Sequence, residues 1–311
     1  MSEKILVTGG AGFIGSHLVD AFIANGHDVV VVDNLQSGKV ENIHPEARFH
    51  RADIRDADAL DQIFVAERPA VVAHQAALAD VRASLVDPAG YAAVNVIGTL
   101  QVLEAARKHG VRKVLFASTG GAIYGEPAEC PATEACPAHP LDPYGASKLA
   151  CEHYLDTYHY NYQLEYCALR YSNVYGPRQD PQGEAGVVAI FIGKMLQGKQ
   201  AIVNGDGAQR RDFTYVGDIA RANLAALNRG SGIYNLGTGV GTDINTIYDH
   251  LAELTAYRQP KVHAPAKLGE VHTIYLDAGR ARRELGWEPA VPLAEGLAKT
   301  TAYFRKALAA G

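Results

Sequence analysis

The sequence predicts an α/β fold built on a doubly wound parallel sheet, with a smaller, discontinuous mixed α/β lobe. Two observations predict the sheet: an apolar run near the start that ends in a glycine cluster, and alternating strand and helix patterns through the first half of the chain. A third observation predicts the second lobe, because after Arg170 glycines, prolines and short strands interleave with short helices.

The first strand–helix–strand unit runs from Lys4 to Asp33. The run Lys4–Thr8 is apolar or β-branched except at its first residue, and it leads into the glycine cluster Gly9–Gly15. Apolar residues then recur at helical spacing until Gly26, a residue type that commonly ends helices. A second apolar run, Asp28–Asp33, completes the unit and ends in an acidic residue.

The glycines and the acid of this unit predict a dinucleotide site on a Rossmann-type sheet. Gly9 permits a sharp turn, Gly12 lets a pyrophosphate approach the amide groups at the helix N-terminus, and Gly15 lets the helix pack on the sheet. Asp33 lies at the spacing of a carboxylate that accepts hydrogen bonds from an adenosine ribose. Because a carboxylate repels a 2′-phosphate, NAD is favoured over NADP.

The rest of the alternation predicts further parallel strands and covering helices. The predicted strands are Arg48–His50, Ala70–His74, Lys113–Ala117 and Glu165–Arg170, and the predicted helices are Asp56–Glu67, Tyr91–His109 and Tyr144–Tyr160. We expect residues 1–170 with about 212–240 to form the NAD-binding domain. Residues 171–211 with about 241–311 are then expected to form the substrate lobe, at the carboxyl ends of the strands.

Composition narrows the class of protein. The 311 residues are 48% hydrophobic and 20% charged, as is ordinary for a globular enzyme, and a net charge of −5 gives nucleic-acid binding no support. No apolar stretch approaches the roughly 20 residues of a membrane span. The three residues before the first strand leave no room for a signal peptide, so we expect a cytoplasmic protein. The four cysteines lack metal-binding spacing, so no metal is expected.

Tyr144 and Lys148 follow Pro143 at a spacing that places both side chains on one helix face. An unperturbed phenol has a pKa of about 10 and is a poor base at neutral pH. A lysine ammonium and an oxidised nicotinamide nearby would lower this pKa, and a shift of roughly three units corresponds to about 4 kcal/mol. Taken alone, such a pair is more often part of a solvated helix surface.

Together these motifs resemble the extended short-chain dehydrogenase/reductase family over nearly the whole chain. Within that family the chain looks like the nucleotide-sugar branch, and most like the UDP-glucose (galactose) 4-epimerases. The stretches Arg170–Pro177, Arg211–Phe213 and Tyr234–Gly239 fit the same branch. The motif residues that carry the resemblance are Gly9, Gly12, Gly15, Asp33, Asp53, Asn95, Ser118, Thr119, Tyr144 and Lys148.

The resemblance implies NAD-dependent interconversion of UDP-glucose and UDP-galactose through a 4-keto sugar, with UDP-GlcNAc and UDP-GalNAc left open as a second pair. Tyr144 would take the proton of the sugar 4-hydroxyl, directly or through Thr119, and Lys148 would hold the nicotinamide ribose. Many relatives carry serine where this chain has Gly120, so the bridging hydroxyl is assigned to Thr119, with Ser118 as the second choice. The residues that the resemblance implies for NAD are Gly9, Gly12, Phe13, Ile14, Gly15, Asp33, Asn34, Asp53, Ile54, Ala76, Asn95, Tyr144, Lys148 and Tyr171.

On the substrate side the resemblance implies Thr119, Asn173, Arg211, Lys267 and Ile274. Arg211 suits a bidentate contact with a diphosphate, and Lys267 supplies a point charge without that fork. Ile274 stands where some relatives have a bulky tyrosine, so it would leave room for a 2-acetamido group. The family habit is a homodimer formed through two helices of each subunit.

Two alternative functions remain open from the sequence. The first is another nucleotide-sugar reaction of the same family, a 4,6-dehydratase or a reductase. Dehydration needs an acid to protonate the leaving hydroxyl, and Gly120 and Gly121 occupy the positions where dehydratases carry one. The second is a catalytically silent NAD-sensing protein, against which the intact pair of Tyr144 and Lys148 argues.

Overall fold

We describe the protein from a computed structural model covering residues 2–181, 186–266 and 271–310. Its strands are β1 (Lys4–Thr8), β2 (Asp28–Asp33), β3 (Arg48–Arg51), β4 (Val71–His74), β5 (Lys113–Thr119), β6 (Glu165–Tyr171), β7 (Asn173–Tyr175), β8 (Ile202–Asn204), β9 (Arg210–Arg211), β10 (Phe213–Tyr215), β11 (Gly232–Leu236), β12 (Thr242–Asp243), β13 (Val262–Ala264) and β14 (Thr273–Ile274). Its helices are α1 (Phe13–Ala24), α2 (Ala57–Glu67), α3 (Val81–Val86), α4 (Pro88–Tyr91), α5 (Gly98–Lys108), α6 (Gly120–Ile123), α7 (Pro143–Tyr162), α8 (Val187–Leu196), α9 (Val216–Ala226), α10 (Ile244–Thr255), α11 (Gly279–Glu284) and α12 (Leu293–Ala310).

Seven of the described strands form one central sheet in the order β11-β6-β5-β4-β1-β2-β3. Every neighbouring pair in this sheet runs parallel. The chain passes from β1 outward to β3 and then returns to the other side of β1 to form β4. The strand order therefore reverses between β1 and β4, where open α/β sheets bind their ligands. The predicted doubly wound parallel sheet is confirmed.

Two apolar layers cover the faces of this sheet because its strands are apolar on both sides. In β2, Val29 and Val31 belong to the layer that contains α1 and α9, whereas Val30 and Val32 belong to the layer that contains α2, α5 and α7. All four valines are buried. This double coverage is what a parallel sheet requires, and it explains why its strands read as continuous apolar runs.

The longest helix of the site begins and ends close to its predicted bounds. The Asp142 side chain caps α7 by accepting a hydrogen bond from the Gly145 amide at 2.8 Å, and Pro143 occupies the first helical position. Gln163, with a φ of 57°, ends the helix in the left-handed conformation. The predicted helix over Tyr91–His109 is also present, but a π-helical turn, Ala92–Ile97, interrupts it between α4 and α5.

The second lobe has its own apolar core around α8, α10 and α12. Short strand pairs connect its segments: β8 with β13, β7 with β10, and β9 with both β12 and β14. Between these segments the chain returns to the main sheet, where β11 is the edge strand beside β6. The exact residues at which the two predicted domains divide stay a prediction.

Candidate active site

Glycines shape the turn between β1 and α1. Gly9 has a φ of +69°, and a Cβ at that position would lie 2.7 Å from the backbone nitrogen of Ala76. A Cβ on Gly15 would overlap the carbonyl oxygen of Gly9, and one on Gly10 would lie 2.8 Å from the Val31 side chain. The close packing of this turn against β2, the loop after β4 and the first turn of α1 therefore excludes side chains at these positions.

A first cavity of about 270 Å³ opens at this turn. The structure brings all of the predicted cofactor residues to its wall except Asn95: Gly9, Gly12, Phe13, Ile14, Gly15, Asp33, Asn34, Asp53, Ile54, Ala76, Tyr144, Lys148 and Tyr171. The N-terminus of α1 faces this cavity through Gly12 and Phe13. Amide groups there supply donors and a positive dipole end for an anion.

Two acidic residues lie at one end of the first cavity. Asp33 ends β2, and its two carboxylate oxygens accept hydrogen bonds from the amides of Ala11 at 3.1 Å and Leu35 at 2.8 Å. Asp53 is held by Arg55 at 2.7 Å and by the Asn34 amide at 3.0 Å. The hydrogen bond from Arg55 holds the pKa of Asp53 well below its ordinary value. Hydrogen bonds thus fix both side chains in place at this end of the cavity.

Tyr144 and Thr119 meet at the boundary of the first cavity and a second one. The second cavity has a volume of about 510 Å³, and both side chains line it. The Thr119 hydroxyl lies close enough to the Tyr144 phenol to favour its phenolate form. Burial outweighs this effect and raises the pKa of Tyr144 to about 12.

Lys148 lies against the end of β5. Its Nζ donates to the carbonyl oxygen of Ala117 at 2.8 Å and lies 4.7 Å from the centre of the Phe116 ring. Burial lowers the pKa of Lys148 to about 8. The ammonium is thus held at the end of β5. The expected lowering of the phenol pKa by this ammonium together with an oxidised nicotinamide stays a prediction.

Ser118 and Thr119 are neighbours with different partners. The Ser118 hydroxyl is buried and donates to Oε1 of Glu152 at 2.5 Å. Ser118 and Thr119 both line the second cavity with Tyr144, but the Ser118 hydroxyl is already bonded to Glu152, which favours Thr119 as the bridging hydroxyl. Strand geometry explains the difference, since consecutive side chains of β5 point to opposite faces of the sheet.

His74 and Asn95 are buried next to the site and hold its segments together through hydrogen bonds. His74, at the end of β4, is hydrogen-bonded to Thr8 at 2.6 Å and to Thr99 at 2.9 Å, and burial lowers its pKa to about 3. Asn95 donates to the Leu78 carbonyl at 3.0 Å, accepts from the Leu78 amide at 2.8 Å, and donates to the Ser147 hydroxyl at 2.9 Å. The structure therefore does not place Asn95 in the cavity wall; it ties the loop after β4 to α7.

A third cavity of about 720 Å³ extends the second one toward the second lobe, and Asn173 lines both. Arg211 lines the third cavity, with its Nη1 held by the carbonyls of Arg210 at 2.9 Å and His272 at 3.1 Å. Lys267 lies outside the described residues. The described lining contains four basic side chains and no acidic one: Arg82, Lys194, Lys199 and Arg211.

Ile274 does not reach these cavities. It is buried in a small apolar cluster with Ile123, Tyr124 and Leu276, and it lines none of the three cavities. The structure thus places it behind the site rather than beside a bound sugar, because its side chain fills the space next to α6. Its predicted influence on the choice of sugar stays a prediction.

Sequence reasoning missed several residues of these walls. Gln75 lines the first cavity, and its buried Nε2 has no hydrogen-bond partner among the described residues. Its position one residue after β4 was a usable signal, since carboxyl ends of strands build such sites. Arg82, Lys194 and Lys199 gave no such signal, because isolated basic residues on helices and turns usually belong to the solvated surface.

The described residues hold no group of three or more histidine, cysteine or acidic side chains arranged for a metal ion. Within the same residues, no helix combines the length and apolar character that crossing a membrane requires.

Comparison with known proteins matches this fold and site to one family. The pattern of the family described as "NAD dependent epimerase/dehydratase family" matches residues 5–237. The UDP-glucose 4-epimerase of Mycolicibacterium smegmatis is 45% identical over 310 residues, which cover 97% of this chain and 98% of that protein.

Two solved structures show the same fold over nearly the full length. The UDP-glucose 4-epimerase of Thermotoga maritima, crystallised with UDP-glucose, is 50% identical with a TM-score of 0.97 and covers 98% of this chain and 99% of its own. The UDP-glucose 4-epimerase of Thermus thermophilus, crystallised with NAD, is 46% identical with a TM-score of 0.94 and the same coverage.

Proposed function

The chain belongs to the NAD dependent epimerase/dehydratase family, and on that premise we propose that it interconverts UDP-glucose and UDP-galactose. The observation that carries the proposal is the position of Tyr144, which lines both the first and the second cavity and shares the wall of the second with Thr119. A phenol at this boundary can exchange a proton with a sugar hydroxyl in one cavity while a cofactor occupies the other.

NAD is the cofactor, and the residues of the first cavity fit it. The glycine turn leaves the amide groups of α1 accessible to a pyrophosphate, Asp33 offers acceptors to a ribose, and Lys148 offers donors to the other ribose. The buried Nε2 of Gln75 supplies a further donor that the described protein residues leave unpaired. When bound, NAD supplies reversible hydride transfer at C4 of the sugar, which passes through a 4-keto sugar.

The third cavity fits the diphosphate of a nucleotide sugar. Its four basic side chains come from both lobes, and guanidinium groups bind phosphate oxygens in pairs. Asn173 lines the passage from this cavity to the second one. We place the diphosphate in the third cavity and the hexose in the second, with its 4-hydroxyl at Tyr144 and Thr119.

Tyr144 is the residue that accepts and returns the proton of the sugar hydroxyl. As a phenolate it accepts the proton of the 4-hydroxyl, through the Thr119 hydroxyl, and returns it when the ketone is reduced. Since burial raises the pKa of this phenol to about 12, the positive charges of Lys148 and of an oxidised nicotinamide would lower it when NAD is bound. Proton acceptance is thereby linked to the oxidised state of the cofactor.

We extend the proposal to a homodimer in the cytoplasm. α3 and the π-helical turn each pack against α7, and Val86, Ile97 and Tyr154 of these elements are exposed. Val86 is 87% exposed and Ile97 is 50% exposed, which makes this face a candidate contact between two copies. The four cysteines are free thiols, as is usual for cytoplasmic proteins. Sedimentation of the wild type and of Ile97→Lys tests the dimer, which the charge should dissociate.

The activity is tested by incubating the purified protein with UDP-galactose, and separately with UDP-GalNAc, without added reductant. We expect UDP-glucose to appear, and the ratio of the two rates shows whether the second cavity admits a 2-acetamido group. A 4-keto-6-deoxy product would indicate a dehydratase instead. Absence of any product from protein that retains NAD would favour a silent sensor.

A further inference from the structure

A buried ion pair lies directly behind the reactive side chains. Arg170 on β6 donates from Nε to Oε1 of Glu152 at 2.9 Å and from Nη2 to Oε2 at 2.6 Å. Their side chains are only 5% and 2% exposed. A buried pair of this kind contributes little net stability, because removing both charges from water costs about as much as their attraction returns. Its position therefore calls for a functional explanation.

The pair connects the two lobes of the site. Glu152 also accepts the hydrogen bond of Ser118, and Arg170 donates from Nη1 to the Tyr124 hydroxyl at 2.7 Å. Tyr124 in turn donates to Asn235 at 2.7 Å, and Asn235 donates to the Ala132 carbonyl at 2.9 Å. These bonds join the end of β5, α7, β6 and β11 to the loop that packs against β14.

We propose that Glu152 and Arg170 are positioning residues of the epimerisation, which fix the end of β5 so that Thr119 meets Tyr144 and which keep a carboxylate one helical turn from Lys148. This inference rests on the function proposed above. Ser118 shares a strand face with Phe116, beneath α7, and the bond to Glu152 holds it there. The next side chain, Thr119, then points to the opposite face of β5 and lines the second cavity.

The same carboxylate acts on the charge of Lys148. Burial favours the neutral amine of Lys148, whereas Cys151 and, to a smaller extent, Glu152 favour its ammonium. Burial lowers the pKa of His74 and raises the pKa of the Cys151 thiol, so it favours the uncharged form of both groups. The groups that surround Lys148 are His74 from β4, Tyr144, Cys151 and Glu152 from α7, and Arg170 behind Glu152 from β6.

Two single variants should shift the pH dependence of kcat in opposite directions. Glu152→Gln removes a negative charge and exposes Lys148 to Arg170, so the alkaline limb of kcat against pH should move to lower pH, by about half to one unit. Arg170→Gln leaves Glu152 unneutralised, so the limb should move to higher pH by a similar amount. A merely structural role predicts lower kcat or stability in both variants with the limb at the wild-type pH.

A double variant covers the case in which an unpaired buried charge prevents folding. Glu152→Gln/Arg170→Gln removes both charges, and its alkaline limb should still lie below that of the wild type, because the carboxylate that favours the Lys148 ammonium is lost. Glu295→Gln, which breaks the exposed pair of Glu295 with Lys299 on α12, is the matched control and should leave the limb in place.

Unshifted limbs in the folded variants, with normal NAD content and a wild type that epimerises, would overturn the positioning role alone. No epimerisation by the wild type would instead overturn the proposed function. Shifts of opposite sign in the two single variants, or the downward shift in the double variant, would support the inference.

Discussion

The first and third cavities are built in different ways. The first is lined by residues that follow directly after strands of one sheet, and its tightest contacts involve backbone atoms of the turn after β1. The third is lined by charged side chains from distant segments, such as Arg82 on α3, Lys194 on α8 and Arg211 on β9. The cofactor side is thus determined by backbone shape, and the substrate side by the placement of charge.

This difference predicts which substitutions the cofactor cavity and the substrate cavity tolerate. A site made by backbone packing fails when an atom is added, because no side chain can move aside. A site made by several long cations loses affinity gradually when one of them is removed, because the others still act at short range. Substitutions of the two kinds should therefore separate loss of NAD from loss of substrate affinity.

The largest loss of turnover should come from substitution of Tyr144, which lines both the first and the second cavity. Tyr144→Phe removes only the phenolic oxygen, so both cavities keep their shape and NAD should remain bound. Loss of a general base of this kind typically lowers turnover by roughly 100- to 10,000-fold. Initial rates with UDP-galactose and the absorbance of released NAD measure the two properties. Turnover near the wild-type rate would refute Tyr144 as the proton acceptor.

The next largest effect should fall on the cofactor alone. Gly15→Ala adds a Cβ that overlaps the Gly9 carbonyl, and relieving this contact costs about 1–3 kcal/mol, or roughly 5- to 150-fold in NAD affinity. Gly121→Ala is the matched control, because its Cβ would lie 3.5 Å from Asn173 Oδ1, on the substrate side. Equal NAD content in the two purified variants would contradict the comparison.

A pH effect should follow from His74 beneath the first cavity. Burial lowers the pKa of His74 to about 3 in the folded protein. Below about pH 6.5, His74 is therefore protonated in the unfolded chain but stays neutral in the folded protein. The free energy of unfolding should therefore fall by about 2 kcal/mol between pH 7 and pH 5. Urea denaturation of the wild type and of His74→Asn at both pH values isolates this contribution, which the variant should lack.

The smallest effect should come from the substrate side. Arg211→Gln removes one of the four described cations of the third cavity, and we expect KM for UDP-galactose to rise about tenfold, since hydrogen bonds to charged groups contribute roughly 1.5–3 kcal/mol. The content of bound NAD should not change. A fall in NAD content with an unaltered KM would show that the two sides are not separate.

The sequence allowed us to predict those parts of the site whose geometry depends on residues close together in the chain. The glycine turn, Asp33 and the helix of Tyr144 and Lys148 all follow from short stretches of sequence, and the structure places each of them in the first cavity. The features that could not be predicted depend on packing between residues that are distant in the sequence. The ammonium of Lys148 turns to Ala117, and Ile274 packs behind the site, because neighbours distant in sequence occupy the alternative space.

The central claim is that Tyr144 and a bound NAD oxidise and re-reduce the same carbon within one closed site. The most direct test uses UDP-galactose deuterated at C4, with the product analysed by mass spectrometry and NMR. Retention of deuterium at C4 of the UDP-glucose formed is the predicted result, because reversible hydride transfer returns the same hydrogen to the opposite face. Replacement of the deuterium by solvent hydrogen would contradict the account, since it would require exchange of the C4 hydrogen as a proton.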